Sequence, residues 1–264
     1  MSDNAIPADL AEALTRAAEA RVLLLASDYD GCVSPIVSRP EDAVPDPASI
    51  DALTAAARLP DTAVAVVSGR ERAVLAELSG LSAPVVLVGS HGSEFESGFA
   101  VEVTDEARTL LARLVDELRS IAAEHPGTTV EVKPASTVLH VRNASAVDAD
   151  AALDRARSGP ASWPGVHVTE GKAVIELAVI ETSKGHALDA LRGRIGADAV
   201  IYLGDDVTDE KAFAHLSPET GDIGIKVGEG NTAAGYRIAD TADVATVLGF
   251  VAAQRAERLT ARRP

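Results

Sequence analysis

VLLLASDYDG, at residues 22–31, joins a short aliphatic run to a turn that carries two carboxylates. Apolar residues at helical spacing precede this run at 7–20 and follow it at 47–58, which predicts a buried strand between two helices. Open α/β sheets bind their ligands at the carboxyl ends of such strands. Asp28 and Asp30 are therefore predicted to lie at a ligand-binding edge.

The same alternation of strands and helices continues along the chain, except in a middle segment at 93–177. Outside that segment, strands and helices are predicted at 63–67, 70–78, 85–88, 184–195, 199–203, 209–216, 223–227 and from 243. Inside it, a hairpin, a helix, two strands, a helix and two strands are predicted at 93–103, 105–124, 129–133, 137–141, 146–157, 166–170 and 173–177. The predicted fold is α/β, with a doubly wound, mainly parallel sheet in a core of residues 1–98 and 181–264. Residues 99–180 are predicted to form an inserted α+β domain with the order αββαββ.

Composition limits the class of protein. With 264 residues, 47% of them hydrophobic, the chain can bury a sizeable core. Its formal charge of −16 disfavours nucleic acid and anionic membranes as partners, because it repels polyanions. Cys32 is the single cysteine, which excludes an intrachain disulfide and fits a reducing compartment. No targeting or membrane-spanning segment is visible in the sequence, so we expect a cytoplasmic protein.

A hydroxyl group and two cations lie where anions bind in such folds. Ser68, Gly69 and Arg70 follow the second predicted strand, so their hydroxyl and N–H groups form a natural phosphate cradle at a helix N-terminus. A plain N-cap serine would look the same. Lys184 opens the helix at the return to the core, an unfavourable end for a cation unless an anion lies beside it. Lys184 is therefore predicted to bind a phosphate or a carboxylate.

A second group of acids, GDDVTD, follows the predicted strand at 199–203. It contains three acidic residues, Asp205, Asp206 and Asp209. A capped turn needs fewer, although any one of them could be a helix cap. Because parallel strands end at the same edge of a sheet, these acids are predicted to join those of the first turn. Carboxylates in such a group can share a hard cation.

The strands of the inserted segment alternate between apolar and polar residues, which gives each strand a dry face and a wet face. The apolar residues can pack under the two predicted helices. The other face is predicted to carry Glu131, Lys133, His140, Arg142, Glu170, Lys172 and Glu176. An ordinary solvated sheet face would have similar residues. The cations on so acidic a chain favour a binding face.

Taken in order, Asp-x-Asp-Gly, Ser-Gly-Arg, Lys and Gly-Asp-Asp-x-x-Asp resemble the four motifs of the haloacid-dehalogenase superfamily. The resemblance implies a phosphatase with an aspartyl-phosphate intermediate and Mg²⁺ as its cofactor. It implies that Asp28 is the nucleophile and that Asp30 is the general acid and base, while Ser68 and Lys184 bind the phosphate. The implied metal site comprises Asp28, Asp30 and Asp205, supported by Asp206 and Asp209.

Within that superfamily, segments in both predicted domains resemble the trehalose-6-phosphate phosphatases, hydrolases of trehalose biosynthesis. These segments are DYDGCVSPI at 28–36, GSHGSE at 89–94, Lys133 with HVR at 140–142, and Gly171-Lys172 followed by Glu176. The resemblance implies trehalose 6-phosphate as the substrate and the inserted domain as the cap that binds its disaccharide. The residues that it implies for substrate binding are Gly69, Arg70, His91, Glu94, Lys133, His140, Arg142, Lys172 and Glu176.

The chain departs from the family's pattern at two places. Cys32 stands where the superfamily usually has Thr, and Ala178-Val179 stands where the family commonly has a cation and Pro. By that resemblance, the first change weakens a hydroxyl-to-backbone bond near the implied nucleophile, and the second alters part of the loop that binds the sugar in the family.

Other functions remain open from the residues alone. A phosphatase acting on sucrose phosphate or mannosyl-phosphoglycerate would have the same core motifs. A non-catalytic sugar-phosphate sensor would keep the fold and lose the acids, whereas a phosphomutase would return an isomerised sugar. The expected partner is a small-molecule sugar phosphate, and the sequence leaves the oligomeric state open, a monomer included.

Overall fold

Two units make up the chain in the computed structural model, which describes residues 6–99, 103–171, 173–181 and 183–261. We call Met1–Gly98 with Thr182–Pro264 the core unit, and Phe99–Glu181 the inserted unit. Among the described residues, no helix is both long enough and apolar enough to span a bilayer.

The first part of the core unit alternates helices and strands. Its elements are α1 (Ala8–Ala18), β1 (Leu23–Ser27), α2 (Pro47–Ala57), β2 (Thr62–Val67), α3 (Arg72–Ser79) and β3 (Val86–Val88). A two-stranded sheet of β4 (Glu94–Phe95) and β5 (Gly98–Phe99) follows. It corresponds to the hairpin predicted at 93–103, of which residues 100–102 lie outside the described part of the chain.

The inserted unit contains a four-stranded antiparallel sheet and two helices. Its elements are α4 (Asp105–Glu124), β6 (Thr129–Val132), β7 (Ser136–His140), α5 (Ala146–Ser158), β8 (His167–Gly171) and β9 (Val174–Ala178). The strand order is β6-β7-β9-β8. Leu114, Leu118 and Ile121 recur at helical spacing on α4 and form one buried core with Leu139 and Ile175 of the sheet.

The second part of the core unit returns to alternating helices and strands. Its elements are α6 (Lys184–Ile195), β10 (Ala199–Gly204), α7 (Val207–Phe213), β11 (Ile223–Val227), β12 (Tyr236–Ile238) and α8 (Thr241–Ala261). No pattern in the sequence predicts β12, because three residues are too few to show a period. Helix α7 begins two residues before its predicted start, because Asp206 caps it.

Six parallel strands form the central sheet, in the order β12-β11-β10-β1-β2-β3. Leu25 belongs to the apolar core on one face of the sheet and Leu24 to the core on the other. Burial on both faces explains why these strands are aliphatic runs without alternation. Strands β1 and β10 are neighbours, with Ser27 opposite Leu203, so the turns that follow them meet at one edge. The predicted α/β fold with a mainly parallel sheet is confirmed.

Candidate active site

The carboxyl ends of β1 and β10 bring three carboxylates together. Asp28 follows β1, and its N–H donates to the Leu203 carbonyl of β10 at 2.8 Å. Carboxylate oxygens of Asp28, Asp205 and Asp209 lie within 4.8 Å of one another. Gly31 permits this approach, because its φ is +83° and a Cβ there would lie 2.2 Å from Asp205 Oδ2. The group lies at the edge where the sequence predicts a binding site.

Lys184 is buried between two of these carboxylates. Its Nζ is 2.8 Å from Asp28 Oδ2 and 2.8 Å from Asp209 Oδ1. The residue is the first of α6, which Ser183 caps. Its side chain is 2% exposed, so water screens neither ion pair. Burial alone would lower the pKa of Lys184, but the charges of Asp209 and Asp28 raise it, so the ammonium group stays charged.

Asp209 holds several groups at once. Its Oδ1 also accepts from the Tyr202 hydroxyl at 2.6 Å, and its Oδ2 accepts from the backbone N–H groups of Asp205 and Asp206 at 3.0 Å each. Burial alone would raise the pKa of Asp209, but the charge and hydrogen bond of Lys184 lower it. Asp209 is thus a buried anion that orients both the lysine and the Asp205 loop. Tyr202 was missed in the sequence, where its only signal is one hydroxyl group in an aliphatic strand.

The three carboxylates repel one another enough to favour a further cation. Burial raises the pKa of Asp28 well above its usual range, although Lys184 opposes the shift. Burial and the charge of Asp209 raise the pKa of Asp205 to about 6. A divalent ion would offset this repulsion, and carboxylate oxygens are the ligands that hard cations prefer. The donor set therefore fits a metal ion of this kind.

Asp206 and Lys226 hold the same loop from outside the group of three acids. The Asp206 side chain caps α7 and accepts from the Val207 N–H at 2.7 Å. Lys226 is buried on β11, and its Nζ donates to the backbone carbonyl of Asp205. Lys226 was also missed, and the signal that could have identified it is a lone lysine in the aliphatic strand IGIKV. A buried ammonium group is costly unless it is bonded.

Asp30 faces a different partner from the other predicted metal ligands. Its carboxylate forms two parallel bonds with Arg70, at 2.7 Å from Nη2 to Oδ1 and 2.8 Å from Nε to Oδ2. It is not part of the group of three acids found among the described residues. The structure thus places the two carboxylates of the first turn in separate surroundings, with Asp28 beside Lys184 and Asp30 beside Arg70.

The loop after β2 lies against the loop after β3. The N–H of Arg70 donates to Ser68 Oγ at 3.1 Å, and the N–H of His91 donates to the Ser68 carbonyl at 2.9 Å. Gly69 is needed because a Cβ there would lie 2.4 Å from Cε1 of the His91 ring. Ser68, Gly69 and His91, which the sequence predicts as site residues, are therefore neighbours in the structure.

Glu94 is bound to the first turn of α3. Its Oε2 accepts from the N–H of Arg72 at 2.8 Å and lies 3.4 Å from Ser90 Oγ. A carboxylate at a helix N-terminus is favourable because unpaired N–H groups point towards it. Glu94 therefore ties the loop after β3 to α3, and its predicted contact with substrate stays a prediction.

A buried polar cluster lies on the face of the inserted sheet opposite its apolar core. Lys133 Nζ is 3.4 Å from both carboxylate oxygens of Glu176, and Ser136 Oγ donates to Glu176 Oε1 at 2.6 Å. Glu176 pairs in register with Val138 of β7, which pairs with Glu131 of β6, so these three share one face. We call Lys133, Ser136 and Glu176 the inserted cluster.

The other polar residues predicted on this face have different positions. His140 bonds to Glu131 at 2.8 Å, Arg142 is exposed beyond β7, and Lys172 lies outside the described residues. Glu170 was predicted on the wrong face. It lies opposite Ile175 in the ladder and forms two bonds, of 3.0 and 2.8 Å, with Arg157 of α5. Residues paired across a hairpin share a face, so Glu170 lies on the face of Ile175. Simple alternation counted through the turn wrongly puts Glu170 on the face of Glu176.

Comparison with known proteins gives consistent matches. The sequence model of the family described as trehalose-phosphatase matches residues 26–242. The trehalose-6-phosphate phosphatase of Escherichia coli is 32% identical over 230 residues, which are 85% of this chain and 84% of that protein. The bifunctional trehalose-6-phosphate synthase/phosphatase of Thermoproteus tenax is 35% identical over 241 residues, 88% of this chain but 32% of that protein.

The solved C-terminal domain of the C. albicans trehalose-6-phosphate phosphatase has the same fold. It superposes with a TM-score of 0.80 at 23% identity, over 96% of this chain and 99% of that one. The matched range of the family model includes residues of both units and the acids after β1 and β10. A match over most of the chain decides the family: the chain belongs to the trehalose-phosphatase family.

Proposed function

We propose that this chain hydrolyses trehalose 6-phosphate to trehalose and phosphate, through an aspartyl-phosphate formed on Asp28. The observation that carries the proposal is the position of Lys184, whose Nζ is 2.8 Å from Asp28 Oδ2 at the edge where Asp205 also lies. A carboxylate beside a buried cation has the surroundings of a nucleophile that meets an anionic phosphoryl group. Relatives named for this substrate, at 32% and 35% identity, support the choice of sugar.

The metal in this proposal is Mg²⁺, held by Asp28 and Asp205. Asp209 orients the loop that carries Asp205, because its Oδ2 accepts from the backbone there. When bound, the ion neutralises negative charge on the phosphoryl group. The Asp30 carboxylate pairs with an arginine and the Asp206 carboxylate caps a helix, so the proposal gives neither side chain the role of a metal ligand.

In the first step, an oxygen of Asp28 attacks phosphorus, and the bond between phosphorus and the sugar oxygen breaks. Lys184 and Ser68 bind phosphoryl oxygens and keep the group in line with Asp28. Asp30 donates a proton to the departing sugar oxygen, which leaves as a hydroxyl group. Trehalose and an aspartyl-phosphate at Asp28 are the products of this step.

In the second step, water attacks the phosphorus of the aspartyl-phosphate while Asp30 accepts a proton from that water. The bond between phosphorus and the Asp28 oxygen breaks, which restores the carboxylate and releases phosphate. Asp30 regains the proton that it gave to the sugar. Asp209, bonded to Lys184 at 2.8 Å, holds the ammonium group in place while Asp28 changes its charge.

Residues 99–180 select the sugar in this proposal, while residues 1–98 and 181–264 carry the chemistry. The core motifs act on any phosphoryl group, so discrimination between sugars needs other groups. The inserted cluster offers an ammonium group, a hydroxyl and a carboxylate, which together donate to and accept from ring hydroxyls. A wrong sugar that leaves one buried polar group unpaired loses about 1–3 kcal/mol of binding.

The test is phosphate release from a panel of substrates, with Mg²⁺ and with excess chelator. The panel comprises trehalose 6-phosphate, sucrose phosphate, mannosyl-phosphoglycerate, glucose 6-phosphate and p-nitrophenyl phosphate. We expect trehalose 6-phosphate to have a kcat/KM at least ~tenfold above the other sugar phosphates, with free trehalose as its product. Equal rates on all sugars, an isomerised sugar phosphate, or full activity in chelator would contradict the proposal.

A further inference from the structure

Arg70 binds the Asp30 carboxylate through two nitrogens of its guanidinium group. The two bonds are 2.7 and 2.8 Å long and join different nitrogens to different oxygens. Paired bonds of this kind fix the distance and the plane of a carboxylate, which a lysine cannot do. The Asp30 side chain is 36% exposed and that of Arg70 is 14% exposed, so the arginine is the more enclosed partner.

Arg70 is itself fixed at both ends. Its Nη1 donates to the Pro40 carbonyl at 2.9 Å, and its guanidinium carbon lies 5.9 Å from the centre of the Tyr29 ring. Its backbone carbonyl accepts from the N–H of Ser90 at 2.7 Å. These contacts hold the guanidinium group over the turn that follows β1. Asp30, at the surface of that turn, gains its orientation from a side chain anchored on other loops.

We propose that Arg70 is a positioning residue that acts through Asp30, and that the substrate phosphate is not its partner. The sequence suggested a phosphate contact, because Arg70 follows Ser68 in a phosphate-binding motif. Three of the guanidinium donors instead point at Asp30 and Pro40. When one oxygen of Asp30 carries a proton, the other can keep its bond to Arg70, so positioning and proton transfer are compatible. The inference rests on the proposed function, because it requires Asp30 to transfer protons.

The two roles for Arg70 differ in how they depend on the leaving group. A sugar oxygen leaves poorly and needs a proton as it departs, whereas p-nitrophenolate leaves without one. Both substrates present the same phosphoryl group to the core. Loss of a residue that acts through Asp30 therefore slows the first step for the sugar phosphate alone. Loss of a phosphate ligand slows that step for both and raises KM for both.

The experiment measures the pre-steady-state release of the first equivalent of leaving group, in the Mg²⁺-loaded full chain. We expect Arg70→Met to slow this release ~10–100-fold with trehalose 6-phosphate, and by less than ~threefold with p-nitrophenyl phosphate, with KM unchanged. Arg70→Lys should fall between Arg70→Met and the parent, because it keeps the charge and loses the paired bonds. Arg39→Met removes an exposed arginine next to Pro40 and is the matched control, with no expected change.

A double variant tests whether Arg70 acts through Asp30. Asp30→Asn with Arg70→Met should be no slower than Asp30→Asn alone, because no acid is left to position. Equal losses on both substrates with a raised KM, or additive losses in the double variant, would overturn the inference. If Asp30→Asn itself slows both substrates equally, the acid role in the proposed function fails and the inference falls with it. Should Arg70→Met unfold, as its thermal midpoint would reveal, the same comparison with Arg70→Lys decides the question.

Discussion

Two buried lysines, Lys184 in the core unit and Lys133 in the inserted unit, have carboxylate partners at different distances. Lys184 lies 2.8 Å from each of two carboxylates. Lys133 lies 3.4 Å from both carboxylate oxygens of Glu176. Short charge-assisted bonds are the stronger and more directional ones, so the bonds of Lys184 to Asp28 and Asp209 are stronger than the bond of Lys133 to Glu176.

The difference matches what each unit has to do in the proposed function. A group that contacts the transferring phosphoryl must be held to within a fraction of an ångström, because small displacements are costly in rate. Lys184 is held in this way by Asp209, which itself accepts from Lys184, Tyr202 and two N–H groups of the Asp205 loop. Recognition of hydroxyl groups tolerates longer contacts. The comparison therefore predicts large, substrate-independent effects for core residues that contact the phosphoryl group, and smaller, substrate-dependent ones for the inserted cluster.

The largest effect is expected for Asp28→Asn. The change keeps the volume and removes the attacking charge, so kcat should fall by at least ~10³-fold with every substrate. Burial already disfavours the Asp28 anion, so the thermal midpoint in excess chelator should stay the same or rise. Phosphate release and calorimetry check the two parts. Substantial turnover by metal-replete Asp28→Asn would contradict the role of Asp28 as the nucleophile, and with it the large effect expected in the core unit.

The next effect concerns metal affinity and uses two neighbouring acids. Asp205→Asn should weaken Mn²⁺ or Mg²⁺ binding at least ~tenfold, because Asp205 belongs to the group of three carboxylates. Asp206→Asn should change affinity less than ~threefold, because Asn caps a helix as well as Asp does. Titration calorimetry with the metal alone measures both. Equal weakening by the two changes would show that Asp206 contributes to metal binding as much as Asp205 does.

A smaller effect, limited to one substrate, is expected for Glu176→Gln. The amide removes the charge that faces Lys133, so kcat/KM for trehalose 6-phosphate should fall roughly tenfold to a hundredfold. Glu170→Gln is the matched control, because Glu170 lies on the opposite face and pairs with Arg157. Hydrolysis of p-nitrophenyl phosphate should stay within ~twofold for both variants. If Glu176→Gln slows both substrates alike, the inserted cluster supports the fold or the chemistry instead.

The smallest effect is expected for Tyr202→Phe. Asp209 loses one of its donors and keeps Lys184 and two backbone N–H groups, so unfolding free energy should fall by about 1 kcal/mol. We expect kcat to fall by less than ~tenfold with every substrate. Tyr236→Phe, on the outer strand β12, is the control for loss of a hydroxyl group. Chemical denaturation and steady-state rates provide the measurements, and a loss as large as that of Asp28→Asn would make Tyr202 part of the chemistry.

The sequence alone was sufficient to predict the alternation of helices and strands and the sheet edge where the acids meet. Strand β1 and the helices around it follow from local periodicity, which neighbouring residues specify by themselves. The turn at 28–31 and the acids at 204–209 follow from their places after buried strands. In a parallel sheet such turns share an edge whatever the side chains do. The inserted order αββαββ was likewise readable from alternation.

Tertiary structure alone decided which side chains contact one another. Asp30 and Arg70 are forty residues apart and bond through the meeting of two loops, while Lys226 reaches Asp205 from the next strand. The face of Glu170 depends on the register across a turn, which counting along the chain does not specify. Periodicity places a residue on a face or at an edge. Which partner it contacts depends on differences of a few tenths of an ångström in the distance between segments far apart in sequence, and packing sets those distances.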